Sequence, residues 1–169
     1  MLREIEEQQL SDIWKLSFAK ENPEWKKWDA PYLPYKKLSF EQFKLRESSW
    51  YLSNNVKAIW VDNKIIGIVS KTWLDENTRW LEVGIVIYDA NYWNGGYGTK
   101  DLKKWLEEIF LTTENLEHIG LTTWSRNIRM MKVAEKLGMT KEAVIRKVRY
   151  YNGAYYDSIK YGVLRDEWF

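Results

Sequence analysis

The stretch Asn94-Gly95-Gly96-Tyr97-Gly98-Thr99 is the part of the chain with the clearest chemical meaning. It stands between a β-rich run that ends near Tyr88 and a strongly amphipathic run that begins near Gly96. Small residues let a backbone approach a bulky anion, and the unpaired N–H groups and dipole of a helix's first turn favour negative charge. A diphosphate suits such a cradle, although glycine doublets at helix starts are also ordinary turn residues. The spacing is neither the dinucleotide fingerprint Gly-x-Gly-x-x-Gly nor a Gly-Lys-Ser/Thr loop for a nucleoside triphosphate.

Other chemistry is excluded by composition. The 169 residues contain no cysteine and a single histidine, His118. Disulfides, thiolate metal sites and a cysteine nucleophile drop out, and His118, in an apolar run, reads as a strand-edge residue without metal partners. Formal net charge is +2 with both signs interspersed, which does not indicate a nucleic-acid partner. No stretch approaches the roughly 20 apolar residues of a membrane span, and the first residues lack a leader's apolar core. A soluble cytoplasmic protein is the expectation.

The elements that must position the glycine turn follow from periodicity. Leu10, Ile13, Trp14 and Phe18 predict a helix from about Gln8 to Lys20. The capping-box form Ser39-Phe40-Glu41-Gln42 opens a second helix to about Leu52, with Phe40, Phe43 and Trp50 as buried positions. Between them, Asn22 to Tyr35 holds all three prolines and the aromatics Trp25, Trp28, Tyr32 and Tyr35, so an ordered loop is predicted there, not a helix. Those rings either line a ligand site or cover the sheet.

Three strands, Lys57 to Val61, Lys64 to Thr72 and Arg79 to Tyr88, form a predicted meander. A helix follows from about Gly96 to Leu111, with Leu102, Trp105, Leu106, Ile109 and Phe110 on one face. Then come a strand from His118 to Trp124, a helix from Ile128 to Leu137 closed by Gly138, and a hairpin of Val144 to Tyr151 and Tyr155 to Leu164 turned by Asn152-Gly153. The order predicts one α/β domain over 1–169, a mixed twisted sheet of about seven strands flanked by about four helices.

These residues carry a resemblance. Trp93-Asn94-Gly95-Gly96-Tyr97-Gly98 looks like the coenzyme A signature of the GNAT superfamily of N-acetyltransferases, Gln/Arg-x-x-Gly-x-Gly/Ala, with Trp93 in the first place as in its RimJ/RimL-type branch. Asn127 with Ala134-Glu135-Lys136-Leu137-Gly138-Met139 resembles that branch's second-half helix, and Asp157 with Tyr161-Gly162-Val163-Leu164 and Trp168 resembles its ending. Asn22-Pro23 through Tyr35 resembles its first loop.

The resemblance implies acetyl-CoA as cosubstrate, without a metal. The backbone of Val86, Ile87 and Tyr88 then pairs with the pantetheine arm, residues 94–99 take the pyrophosphate, and Trp93, Asn127 and Lys136 complete the coenzyme site. Asn127 is equally able to act only as a helix cap. Glu82, four residues before Val86, stands where many members carry the base that deprotonates the amine, and strand alternation puts it on one face with Gly84, Val86 and Tyr88. A solvated strand carboxylate is the plainer reading of Glu82.

The expected oxyanion donor is a backbone N–H near Ile87. The usual acid has no counterpart, because Ala134 and Met130 occupy the places where relatives carry tyrosine and serine. Ser125 and Tyr88 are substitutes. The acceptor is an amine, either a protein N-terminus or a small molecule such as a polyamine, amino sugar or antibiotic, and Trp25, Trp28 and Tyr32 are its candidate contacts. A coenzyme-binding sensor without turnover is the alternative of another class. Tyr150, Tyr151, Tyr155, Tyr156, Trp168 and Phe169 suit either a core or a homodimer contact.

Overall fold

Alternating apolar runs and one long amphipathic run require a sheet with a helix laid on it, and the computed structural model, which describes residues 1–169, has that arrangement. Seven strands lie in the order β1-β2-β3-β4-β5-β7-β6: β1 Leu2–Arg3, β2 Val56–Val61, β3 Lys64–Asp75, β4 Trp80–Ile87, β5 His118–Trp124, β6 Thr140–Tyr151 and β7 Ala154–Leu164. All neighbours are antiparallel except β4 and β5, which are parallel. That parallel pair is joined at only two positions, Leu81 with Ile119 and Glu82 with Gly120. Beyond Glu82 the two strands part.

Strand parity gives each face its own core. Leu81 and Val83 of β4, with Ile119 and Leu121 of β5 and Ile159, Tyr161 and Val163 of β7, pack beneath α4 (Tyr97–Thr112) and α5 (Ile128–Lys136). The helical stripe Leu102, Trp105, Leu106, Ile109 and Phe110 is almost wholly buried there, as its period requires. On the opposite face α1 (Leu10–Ser17), α2 (Phe40–Arg46) and α3 (Ser48–Tyr51) cover β2 and β3 through Leu10, Ile13, Phe43, Tyr51, Val56 and Ile68. No helix is long and apolar enough to cross a membrane.

Several expectations need correction. There are six helices, not four, because the second predicted helix breaks at Glu47 into α2 and α3 and because a one-turn α6 (Arg165–Trp168) closes the chain. The Ser39/Gln42 capping box is formed as predicted. The break shifts the phase, so Tyr51 is buried and Trp50 is exposed. α1 stops at Ser17, where Phe18 leaves helical geometry and stacks on Tyr35 at 5.7 Å. The segment 22–35 contains one 3-10 turn, Glu24–Lys27, and β1 is an added edge strand.

His118 stands inside the sheet between β4 and β7, not at an edge. It reaches across Gly162 to Glu142 at 3.0 Å. The aromatic tail divides: Tyr151 and Tyr156 pack on Trp124, and Trp168 and Phe169 on Phe110. Tyr150 and Tyr155 stay exposed and pair with each other at 5.0 Å.

Candidate active site

The parting of β4 from β5 opens a cavity of about 470 Å³ that runs from the first turns of α4 and α5 to the aromatic 22–35 segment. Its floor is the unpaired edge of β4. The Tyr88 N–H donates to Ile66 O at 2.9 Å, and the register with β3 continues without interruption from there back to Leu81. Alternation therefore turns the main-chain groups of Glu82, Gly84, Val86 and Tyr88 toward β3, and those of Val83, Ile85 and Ile87 into the cavity. Of the three residues expected to offer backbone to the pantetheine arm, Val86, Ile87 and Tyr88, only Ile87 turns its main-chain groups into the cavity. Ile85, not singled out from sequence, is its companion.

The glycine turn closes one end. Asn94 and Gly96 both have positive φ, 63° and 79°, and a Cβ on Gly96 would meet nothing within 4 Å. Gly96 is the N-cap of α4 and has no side chain to cap it, so the first intrahelical bond is Lys100 N–H to Gly96 O. The N–H groups of Tyr97, Gly98 and Thr99 are the helix's orphan donors, and all three residues line the cavity. Gly95 does not line it. Its Cα lies against the folded-back Tyr97 ring, so its part is to let that ring close on the turn.

α5 forms the facing wall, with Arg129, Lys132 and Lys136 along one ridge of the cavity. Asn127 caps α5, its Oδ1 accepting from Met130 N–H at 3.2 Å, and its Nδ2 donates to Trp28 O at 3.2 Å. Trp124 Nε1 donates to the same carbonyl at 2.9 Å. These two bonds hold the 22–35 segment over the cavity. The Arg129 guanidinium lies between two indoles, 4.5 Å from the Trp28 ring and 4.5 Å from the Trp93 ring. Trp93 in turn donates from Nε1 to Ile87 O at 2.8 Å, which occupies the last carbonyl of the open edge.

At the crotch of the two strands Glu82 is not free. Its Oε1 accepts from Thr122 Oγ1 at 2.7 Å and from Lys160 Nζ at 3.0 Å, and Lys160 also donates to Thr122 Oγ1 at 2.9 Å. Thr122 lines the cavity and Glu82 does not. Tyr88 lies elsewhere: its ring is buried under α1 and α3, and its hydroxyl is paired with Tyr51 OH at 2.9 Å. Burial pushes the Tyr88 phenol well above its ordinary value, with the charge of Tyr51 adding to the effect. Neither Tyr88 nor Ser125 lines the cavity, so neither is placed to protonate a leaving thiolate there.

A chain with a splayed parallel pair, an uncapped glycine-started helix at its mouth and a basic second helix has the geometry of a coenzyme-binding transferase. A family model described as an acetyltransferase (GNAT) domain matches residues 1–140. The chain belongs to the GNAT acetyltransferase family. Among curated GNAT relatives it is 28% identical over 110 residues to the SPbeta prophage-derived uncharacterized N-acetyltransferase YokL of Bacillus subtilis, and 32% identical over 101 residues to the uncharacterized N-acetyltransferase YnaD of the same organism.

Those matches cover 65% and 60% of this chain, and the chain spans about three fifths of its relatives' own length, 61% and 57%. Among solved structures, spermidine N-acetyltransferase from Vibrio cholerae in complex with CoA and spermine superposes with a TM-score of 0.79 at 20% identity, covering 99% of this chain and 96% of that one. A GNAT-family acetyltransferase from Bacillus anthracis gives 0.75 at 20% identity, covering 98% and 95%. At this identity the likeness is one of fold.

On the GNAT frame the expected coenzyme residues Val86, Ile87, Trp93, Asn94, Gly96, Tyr97, Gly98, Thr99, Asn127 and Lys136 come together around one cavity, and Tyr88 and Gly95 do not. Of the expected acceptor contacts Trp25 and Trp28 line it. Tyr32 instead packs on Trp124 at 5.7 Å, with the Arg149 guanidinium over it at 4.7 Å. Met130 lines the wall, whereas Ala134 is buried in the α4–α5 core and could not present a side chain there. Sequence reasoning missed Asp29, which lines the cavity between two of the aromatics it did select; a carboxylate inside an aromatic loop was the available signal.

Proposed function

We propose that the chain is an acetyl-CoA-dependent N-acetyltransferase that acetylates a primary amine by direct attack, working in the cytoplasm, where the coenzyme is available. The observation that supports this most is the continuity of one cavity from the orphan N–H groups of Tyr97, Gly98 and Thr99 to the open edge at Ile85 and Ile87. A pyrophosphate suits the first and an extended amide-bearing arm suits the second. Arg129, Lys132 and Lys136 would complement its phosphates.

Acetyl-CoA supplies the activated carbonyl. The Ile85 and Ile87 N–H groups, held rigid by β3, are positioned to receive developing negative charge, the kind of donor whose removal lowers turnover roughly 10²–10³-fold. The thiolate is a tolerable leaving group that water can protonate. Glu82 was expected to be the base. In this reading it competes for that role from outside the cavity wall.

The acceptor we favour is a small aliphatic amine. Spermidine acetyltransferases among the structural neighbours support this class, as does a wall closed by the bonds to Trp28 O. A protein N-terminus is the second reading, favoured by the RimJ/RimL-like motifs at Trp93 and residues 134–139. Self-association belongs to the same proposal: the outermost strand β6 exposes Val144, Ile145, Val148 and Tyr150. Sedimentation would check it.

Acetyl-CoA at saturating concentration should raise the melting temperature, and thiol release should appear with one member of a panel of polyamines, amino sugars and N-terminal peptides. No thermal shift would defeat the first step. A shift without thiol release from any acceptor would leave a coenzyme sensor.

A further inference from the structure

We infer that Asp29 is the acceptor-end catalytic carboxylate: it holds the ammonium of an aliphatic amine at the aromatic end of the cavity and takes its proton before attack. This rests on the acetyltransferase reading above. Asp29 is the single acidic residue in the cavity wall, and no histidine lines it. The other ionisable wall groups are the side chains of Arg129, Lys132 and Lys136 and the phenols of Tyr92 and Tyr97, none of which is a carboxylate or an imidazole. Glu82, the carboxylate that motif position favours, has its Oε1 engaged by Lys160 and Thr122 and is not part of the wall.

The side chain of Asp29 is available. Its carboxylate oxygens take no hydrogen bond from the protein: Lys26 binds the main-chain carbonyls of Asp29 and Ala30, each at 3.0 Å, and acts on the carboxyl only through its charge. Asp29 retains surface open to solvent within a concave site. Asp29 is exposed by surface area, yet the protein around it desolvates the carboxyl and raises it above its ordinary value, with the Lys26 charge opposing. The groups around it are Lys26, Tyr32 and Arg149, the Tyr51–Tyr88 pair, and Arg129 across the Trp28 ring.

The chemistry closes. Loss of hydration beside Trp25 and Trp28 lowers the pKa of an ammonium and crowding raises that of the carboxyl, both of which favour the transfer, while the ion-pair attraction that holds the two together opposes it. Indole faces at this end already carry cations, Lys26 over Trp25 at 5.8 Å and Arg129 over Trp28 at 4.5 Å. The proton passes from nitrogen to the Asp29 carboxylate. The nitrogen lone pair then forms the C–N bond to the thioester carbonyl carbon, the C–S bond breaks with its electron pair going to sulfur, and the thiolate is protonated from water. The nitrogen's second proton and that held by Asp29 return to solvent, so one net proton is released per turnover.

The test compares the full-length wild type with Asp29→Asn, Asp29→Glu and Glu82→Gln, using spermidine and n-butylamine as acceptors from pH 5.5 to 9.5. Each protein is first melted with and without acetyl-CoA. We expect an unchanged coenzyme shift in all four, a roughly 10²–10⁴-fold fall in kcat/KM for Asp29→Asn with loss of the acidic limb, and a limb retained by both Asp29→Glu and Glu82→Gln. An acidic limb that survives in Asp29→Asn, or one that disappears only in Glu82→Gln, overturns the inference. So does a wild type that gains the coenzyme shift yet acetylates neither amine. Absence of the shift in wild type strikes the acetyltransferase reading itself.

Discussion

The two ends of the cavity are built from different materials. At the end proposed for the coenzyme the exposed polar groups are main-chain: the N–H groups of residues 97–99 and the open edge at Ile85 and Ile87. At the end proposed for the acceptor the lining groups are side chains, Trp25, Trp28 and Asp29, on a segment fastened by Trp124 and Asn127 from 96 and 99 residues away. A main-chain site tolerates most changes of side chain and fails where backbone geometry fails. A side-chain site can be retuned residue by residue.

That contrast can be broken most forcefully at Asp29, by the loss of kcat/KM given above. Gly96→Val comes next: a β-branched residue at φ 79° is strained by roughly 1–2 kcal/mol or more, and turning the cap to relieve it misaims the donors. A fall of roughly tenfold or more in acetyl-CoA affinity by calorimetry is expected, and unchanged affinity would mean that main-chain geometry there is unimportant.

Trp124→Phe removes one of the two bonds to Trp28 O while keeping a ring in the core. Stability should fall by about 1–3 kcal/mol and acceptor KM rise, with coenzyme affinity unaltered. A coenzyme effect as large as the acceptor effect would dissolve the division between the ends. Thr99→Ala should change coenzyme affinity by no more than about 0.5 kcal/mol, because its contribution is its N–H.

A control away from both ends uses the buried phenol pair. Tyr51→Phe leaves the Tyr88 hydroxyl without its partner, at a cost of about 1–3 kcal/mol in chemical denaturation. Burial raises the Tyr51 phenol to about 12, above its ordinary value of 10.0, so the fold favours the neutral form. Its contribution is therefore fully present below pH 10 and is lost as pH rises toward 12. Alkaline melts of wild type and variant should converge in that window.

The coenzyme end was readable in the sequence because its parts are local. Gly95-Gly96 next to an amphipathic run states a turn and a helix start, and the strand before it keeps a two-residue period. Even there, parity had to come from hydrogen bonds: the bond from Tyr88 to Ile66 reveals that the main-chain groups of Ile85 and Ile87 face the cavity while those of Val86 and Tyr88 do not. The other end was readable only in its rings Trp25 and Trp28, since Trp28 meets Trp124 and Asn127, and Glu82 meets Lys160, through contacts with no sequence period. Tyr88 shows the same limit: alternation placed it with Glu82 correctly, but α1 and α3 cover that face at one strand end only.

The two-position seam between β4 and β5 has a further meaning for solvent exchange. Strand amides in the middle of a seven-stranded sheet are normally the slowest in a protein to trade hydrogen for deuterium. Here the Ile85 and Ile87 amides, in the central strand, should label as quickly as those of a surface turn, while their neighbours Gly84 and Val86 stay protected for far longer. A bound thioester arm would silence that alternating fast signal.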